Sequence, residues 1–138
     1  MQSKRFGNKI VIRIDKGEEI VEILKKVCEE NQIKLGVVSG IGATNQATIG
    51  LFETAEKKYH STELKGDFEI APLMGNISTL DGKLYLHLHA NLADNKHHCF
   101  GGHLDFAIVS ATAECVIDII DGEVNRKFSE EIGLNLLD

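Results

Sequence analysis

The chain has 138 residues, of which 43% are hydrophobic and 26% charged, and it carries a formal net charge of −6 with histidine counted as neutral. These proportions are typical of a globular protein that buries roughly two thirds of its unfolded surface, so the sequence predicts one domain over residues 1–138. Binding to nucleic acid draws most of its affinity from Lys and Arg that neutralise phosphates, so the net negative charge argues against unassisted binding to DNA. A local basic patch on an oligomer is compatible with this charge.

The cysteines and the apolar runs indicate the compartment. Cys28, Cys99 and Cys115 are widely spaced and form no C-x-x-C motif, which predicts reduced thiols. No apolar run approaches the roughly 18 residues of a membrane span, and the N-terminus lacks the apolar core of a signal peptide. We therefore expect a cytoplasmic protein with no membrane segment.

The first elements along the chain are a strand and the main helix. Lys9 to Ile14 alternates apolar and polar residues and is β-branched, which predicts a half-buried strand. Asp15 is the expected helix N-cap, with Glu18 three residues later as in an acidic capping box. An apolar stripe at helical spacing follows, and Asn31 is the expected C-terminal stop.

The next segment is expected to be a short strand, Leu35 to Ser39, that ends in the loop GIGATNQ. Its Gly40-Ile41-Gly42 invites comparison with phosphate loops, but no helical stripe and no G-K-[ST] follow, so tight chain turning is the better interpretation. From Ala47 onward the pattern is almost all strand, with turn signals at 65–67, 81–82 and 94–96. One main N-terminal helix before a largely antiparallel β-sheet predicts the α+β class.

The segment KLYLHLHANL (83–92) carries the clearest chemical signal in the chain. Leucines and Ala90 alternate with polar residues, so His87 and His89 should project side by side from the polar face of one strand. A rise of about 3.3 Å per residue puts their β-carbons roughly 6–7 Å apart. Two imidazoles at that spacing can reach a common metal ion.

A third imidazole should come from the returning strand. The expected turn at 94–98 would bring His103 opposite His87 or His89, and Gly101-Gly102 permits close approach or a bulge. Three neutral imidazoles suit zinc above all and leave a fourth coordination position for water or substrate. Spacing alone leaves open a polar hairpin that is rich in histidine, and it does not separate zinc from nickel, iron or an empty site.

Other polar residues have competing interpretations. Glu69 faces away from Phe68 and Ile70, so it could enter the histidine face as a fourth ligand, a hydrogen-bond acceptor or a catalytic general base; a solvated carboxylate is the alternative. Glu53 and Glu114 share this ambiguity with less support. The remaining polar candidates are read as structural or solvated positions, namely His60, Asn76, His97 and His98.

The ordered pieces of the chain resemble the plants-and-prokaryotes-conserved (PPC) domain, also described as the AT-hook-associated domain. The resemblance covers nearly the whole chain, through RIDKGEEIVEILKKVCEENQIKLGVVSGIGATNQATIG, GDFEIAPLMGNISTLDGKLYLHLHANLAD, GGHL and AECVI. The H-x-H followed by G-G-H-L is its most specific part. This resemblance identifies residues 1–138 as a single stand-alone PPC domain.

The resemblance implies more than spacing does. Similar proteins form a homotrimer with an α+β fold. Prokaryotic members carry a metal, usually taken as zinc, on the histidine triad that matches His87, His89 and His103. The fold is also similar to that of acetolactate decarboxylase, a three-histidine zinc enzyme. In plant relatives DNA is contacted by a separate AT-hook, and the domain serves trimerisation and binding of nuclear proteins through a Gly-Arg-Phe-Glu-Ile-Leu stretch. Here the matching segment, Gly66 to Ala71, has Asp67 in place of the Arg, and the chain contains no AT-hook.

Two functional hypotheses from different classes follow. One is a trimeric DNA-associated regulatory domain with protein partners, as relatives are named. The other is a zinc-dependent small-molecule enzyme or sensor that does not bind DNA, in which Glu69 assists proton transfer beside the metal. Acidic charge and the missing AT-hook favour the second.

Overall fold

The computed structural model describes residues 1–138, and it is dominated by one large mixed β-sheet. Strands hold 69% of the residues and helix only 8%, so the prediction of an α+β fold with a main N-terminal helix is wrong. One 11-residue helix is too short to form an α layer of its own. The strands are β1 (Gln2–Phe6), β2 (Lys9–Asp15), β3 (Gly36–Glu53), β4 (Lys58–Leu80), β5 (Lys83–Ala93), β6 (Cys99–Ile119), β7 (Asn125–Ser129) and β8 (Leu134–Leu137), and the helix is α1 (Ile20–Glu30).

Two segments expected to interrupt the sheet are parts of long strands. The GIGATNQ segment, predicted as a loop, lies inside β3, and register shifts between Gly40 and Gly42 and between Thr44 and Gln46 mark bulges there. The predicted turn at 65–67 lies inside β4, opposite the second bulge. Glycine and turn residues thus signal bulged strands here, because a bulge needs the same local freedom as a turn.

Helix α1 begins later than the sequence suggested. Glu19, not Asp15, is the N-cap, and its carboxylate accepts hydrogen bonds from the backbone N–H groups of Val21 and Glu22. Glu18 instead accepts from the Asp15 N–H at 2.8 Å, which fixes the turn before the helix. Asn31 is the C-cap, as predicted.

Four strands close on themselves within the sheet. The strand order is β1-β2-β6-β3-β4-β7-β8, while β5 pairs with both β4 and β6, so β3, β4, β5 and β6 form a closed ring of neighbours. A cluster of 23 buried residues draws its members mainly from this ring, from β2 and from α1. Leu88, Ala90 and Leu92 of β5 belong to it, so the opposite face of β5 carries the polar residues.

A membrane span would need a long apolar helix, and the structure has none that meets the requirement.

Candidate metal centre

Strand β5 presents His87 and His89 on its polar face, as the alternation predicts. Each has a Cα partner on β4, Asn76 opposite His87 and Met74 opposite His89. Leu88, between the two histidines, is 1% exposed and anchors the opposite face in the core. The apolar row of β5 therefore fixes the direction of both imidazoles.

Strand β6 brings the third imidazole. His103 is the Cα partner of His89, and the ring centroids lie 5.7 Å apart. The His87 ring lies 5.0 Å from that of His89 and 5.2 Å from that of His103. The structure thus brings the three predicted ligands together.

The donor atoms fit a metal ion. One ligand nitrogen from each of the three rings lies within 4.8 Å of the other two, and the Nε2 atoms of His87 and His89 are 3.2 Å apart. Two nitrogens that bind tetrahedral zinc at 2.0–2.1 Å are separated by about 3.3 Å. His89 is exposed and the other two are half-buried, so the donor set opens towards solvent.

The β5–β6 turn is fixed by Asp94. Its Oδ1 accepts hydrogen bonds from the backbone N–H groups of Lys96 and His98, at 2.8 and 2.9 Å. The predicted turn at 94–96 is confirmed, and the His98 side chain is 71% exposed there. Neither His97 nor His98 joins the triad, in agreement with their interpretation as turn residues.

Burial keeps two of the imidazoles neutral. Desolvation, helped by repulsion from the neighbouring His103, His89 and Arg126, lowers the pKa of His87 to about 4. Desolvation also lowers the pKa of His103, although the Asp105 carboxylate opposes the shift. Neutral imidazole is the form that binds a metal, so both rings are in the ligand form at neutral pH.

A carboxylate that the sequence analysis did not single out lies beside His103. Asp105 Oδ1 is 3.7 Å from His103 Nε2, and Asp105 Oδ2 accepts a 2.5 Å hydrogen bond from the Tyr59 hydroxyl. Burial and this bond raise the pKa of Tyr59, so the phenol stays protonated. The ring fits over Gly50, where an added Cβ would lie 1.9 Å from the Tyr59 Oη.

A buried arginine lies at the other end of the sheet face that carries the three histidines. Arg126 is 5% exposed, and its guanidinium lies 4.7 Å from the ring centroid of Tyr85, which precedes His87 by two residues on β5. It donates 2.8 Å hydrogen bonds to Ser78 Oγ and Asn76 Oδ1. The candidate site is therefore flanked by an acid at His103 and a cation near His87.

Glu69 does not join the triad. It is exposed and is the Cα partner of Ala93, four residues along β5 from His89, a distance of about 13 Å. Its role in proton transfer stays a prediction that no contact supports. Glu53 instead pairs with His60 at 2.8 Å on the β3–β4 hairpin.

The alternation rule could have found one missed residue and not the others. Asp105 follows His103 by two, so alternation predicts the same face, and the residue keeps its contact with His103 although a register shift leaves it unpaired with β3. Arg126 reaches the site from β7 through a parallel pairing with β4, which no local pattern reveals. Asn76 was read as structural, and only the β4–β5 register places it opposite His87.

A cavity of about 670 Å³ lies elsewhere on the molecule and contains none of the three histidines. Arg5, Asn31, Lys34 and Glu123 are among the residues that line it, and Lys34 and Glu123 form a 2.8 Å ion pair across it. Two of the three histidines are half-buried and the third is exposed, so the triad lies at the protein surface and outside this cavity.

Solved structures share the whole fold. A Bacteroides thetaiotaomicron protein, provisionally named as DNA-binding, is 33% identical, with a TM-score of 0.97 over 99% of this chain and 96% of its own. A metal-containing protein from Archaeoglobus fulgidus is 33% identical, with a TM-score of 0.87 over 96% of this chain and 94% of its own. A plant- and prokaryote-conserved protein from Pyrococcus horikoshii is 29% identical, with a TM-score of 0.86 over 99% and 93%.

The curated relatives are much longer. The bifunctional protein GlmU of Synechococcus sp. (strain JA-3-3Ab) is 31% identical over 108 residues, which are 77% of this chain and 16% of that protein. This chain therefore matches only a small part of those relatives. The model of the Plants and Prokaryotes Conserved (PCC) domain, the family that the sequence resembles, matches residues 1–121, and the chain belongs to that family.

Proposed function

We propose that this protein binds a metal ion, zinc by preference, on His87, His89 and His103, and that the open side of the ion receives a small-molecule ligand. The observation that carries the proposal is the convergence of three ligand nitrogens within 4.8 Å on one half-exposed face. The relative from Archaeoglobus fulgidus, named as metal-containing, supports it.

The donor chemistry favours zinc. Three imidazoles with no thiolate form a borderline-soft set that suits zinc, and a three-nitrogen site leaves one position for water or a ligand. Zinc bound there would supply Lewis acidity, either to a carbonyl oxygen or to a coordinated water. This would make the protein a small-molecule enzyme or sensor.

Elemental analysis tests the proposal directly. Protein produced without a polyhistidine tag should contain about one zinc per chain, and the His87→Ala/His89→Ala/His103→Ala variant should contain none. A matched variant, His60→Ala/His97→Ala/His98→Ala, removes the same number of imidazoles outside the triad and should keep the metal. Equal metal content in both variants, or none in the wild type, would refute the proposal.

A homotrimer in the cytoplasm is part of the same proposal. Large apolar side chains stay exposed on a single chain, including Ile41 at 60% and Leu51 at 67% on β3, and association would cover such surface. Two of the three free cysteines are buried, which suits a reducing compartment. Light scattering at several concentrations would measure the assembly, and a persistent monomer would remove this part.

A DNA-associated regulatory role is the second candidate. It is favoured by the provisional name of the Bacteroides thetaiotaomicron relative, whose chain matches this one almost completely. The net charge of −6 weighs against it. An electrophoretic mobility shift assay with duplex DNA at near-physiological salt distinguishes the two candidate functions. A salt-sensitive complex would support DNA binding, whereas no complex would favour the metal-site function.

A further inference from the structure

Arg126 is a buried cation without an anionic partner. Its guanidinium is in no ion pair within 4.0 Å, and its three hydrogen bonds go to the neutral acceptors Ser78 Oγ, the Asn135 carbonyl and Asn76 Oδ1, each at 2.8 Å. A guanidinium has five N–H groups, so two remain without an acceptor. A buried charge of this kind is unfavourable unless a negative group completes its surroundings.

The guanidinium points along β4 towards the triad. Arg126 is the Cα partner of Leu80, yet its side chain runs back past Ser78 to Asn76, the residue opposite His87. Arg126 therefore brings positive charge to the edge of the histidine site.

Asn76 is oriented by this contact. A guanidinium can only donate hydrogen bonds, so the amide atom that faces Arg126 must be the oxygen. The Nδ2 group is therefore turned away from Arg126. It donates to no protein acceptor, since the only side-chain hydrogen bond of Asn76 is the one it accepts from Arg126. The half-buried amide thus has two N–H groups without a protein acceptor, on the β4 residue that is the Cα partner of His87.

We propose that Asn76 and Arg126 form an oxyanion-recognition edge of the triad site, and that its ligand is a small organic carboxylate. This rests on the proposed metal function, because the ligand would bind at the open side of the same site. Amide donors and a planar guanidinium match the oxygens of a carboxylate, and the charge missing around Arg126 is negative. A neutral ligand would form no ion pair with the guanidinium.

The test compares two probes on zinc-loaded protein by calorimetry. Oxalate is a carboxylate, whereas imidazole is a neutral zinc ligand that needs no anion site. Asn76→Asp replaces the donors with a carboxylate that pairs with Arg126, so the guanidinium keeps an acceptor. We expect this variant to bind oxalate at least about tenfold more weakly than the wild type, and imidazole within about twofold.

Asn91→Asp is the matched control. Asn91 lies two residues from His89 on the same face of β5 and is exposed, so the variant adds the same charge beside the triad but leaves Asn76 and Arg126 intact. Its oxalate affinity should fall much less than that of Asn76→Asp. Arg126→Gln, which removes the cation, should also weaken oxalate binding and leave imidazole binding unchanged. Chelator competition and thermal melts verify zinc loading and folding in each protein.

The outcomes separate this inference from the proposed function. If the wild type takes up no zinc, both are overturned. If zinc and imidazole bind but oxalate binds equally to the wild type, Asn76→Asp and Arg126→Gln, only the oxyanion edge is overturned. The edge is also overturned if Asn91→Asp weakens oxalate as much as Asn76→Asp, because the effect would then be general charge repulsion.

Discussion

His89 and His103 face each other as Cα partners across β5 and β6, with their ring centroids 5.7 Å apart. A one-residue slip of an antiparallel pair moves every side chain of one strand to the opposite face. The position of the third histidine, His103, is therefore set by the register of the β5–β6 hairpin, which the Asp94 turn and the buried face of β5 fix together. The convergence of the three histidines is a consequence of strand register rather than of a local motif.

Replacing His89 should remove most of the metal affinity at little structural cost. His89 is exposed, so His89→Ala should change the free energy of unfolding of the metal-free protein by no more than about 0.5 kcal/mol. Loss of a residue that hydrogen-bonds to a metal ligand typically lowers metal affinity by roughly 10–100-fold, and loss of a ligand itself should lower it further. Competition with a chromophoric chelator measures the affinity, and His98→Ala, which alters the exposed turn, should match the wild type.

Asp105 should strengthen metal binding although it is not a ligand. Its carboxylate lies 3.7 Å from His103 Nε2, where its negative charge favours a cation held by the triad. Asp105→Asn should therefore lower zinc affinity by about 10–100-fold without changing the stoichiometry. Asp67→Asn, on an exposed part of β4, is the control. Equal affinities for the two variants in the same chelator titration would contradict the prediction.

The metal-free protein should lose stability as the pH falls from about 6.5 to about 4. The folded pKa of His87 is about 4 against a usual value of 6.5, so between these values the unfolded chain binds more protons and acid favours unfolding. His103 shifts in the same direction. Urea unfolding with a chelator present measures this slope, and His87→Gln should flatten it; an unchanged slope would show that His87 titrates normally when folded.

Sequence patterns were reliable where one face of a strand is buried. The alternation in β5 predicted the direction of His87 and His89, because the core requires Leu88 and its neighbours on the other side. The turn at 94–96 was equally readable, since Asp94 caps it with its own side chain. These features depend on residues close together in the sequence.

Patterns failed where distant strands decide the outcome. The segments around Gly42 and Gly66 look like a loop and a turn, but pairing on both sides of β3 keeps the chain extended and turns these signals into bulges. At Gly42 an added Cβ would lie 2.4 Å from the Thr112 carbonyl, so close packing against β6 explains that glycine. Arg126 was invisible for the same reason, because β7 meets β4 across a large separation in sequence.

Replacing Gly75 should lower both the stability of the fold and the affinity of the triad for zinc. It lies between Met74 and Asn76 on β4, and an added Cβ would lie 2.1 Å from the His87 carbonyl oxygen and 2.8 Å from the Leu88 Cα. These are backbone atoms that no side-chain rotation can move. Gly75→Ala should therefore push β4 and β5 apart, at a cost of about 1–3 kcal/mol in the free energy of unfolding.

The same displacement moves His87, so Gly75→Ala should also weaken zinc binding. Gly82 provides the comparison, because it lies in the β4–β5 turn with φ of +74° and nothing within 4 Å of an added Cβ. Gly82→Ala should lower stability through backbone strain alone and leave the zinc affinity at the wild-type value. Thermal melts and chelator titrations of both variants measure the two effects. If the Gly75→Ala protein is destabilised but binds zinc with wild-type affinity, the prediction is wrong. The geometry of the triad would then not depend on the spacing between β4 and β5.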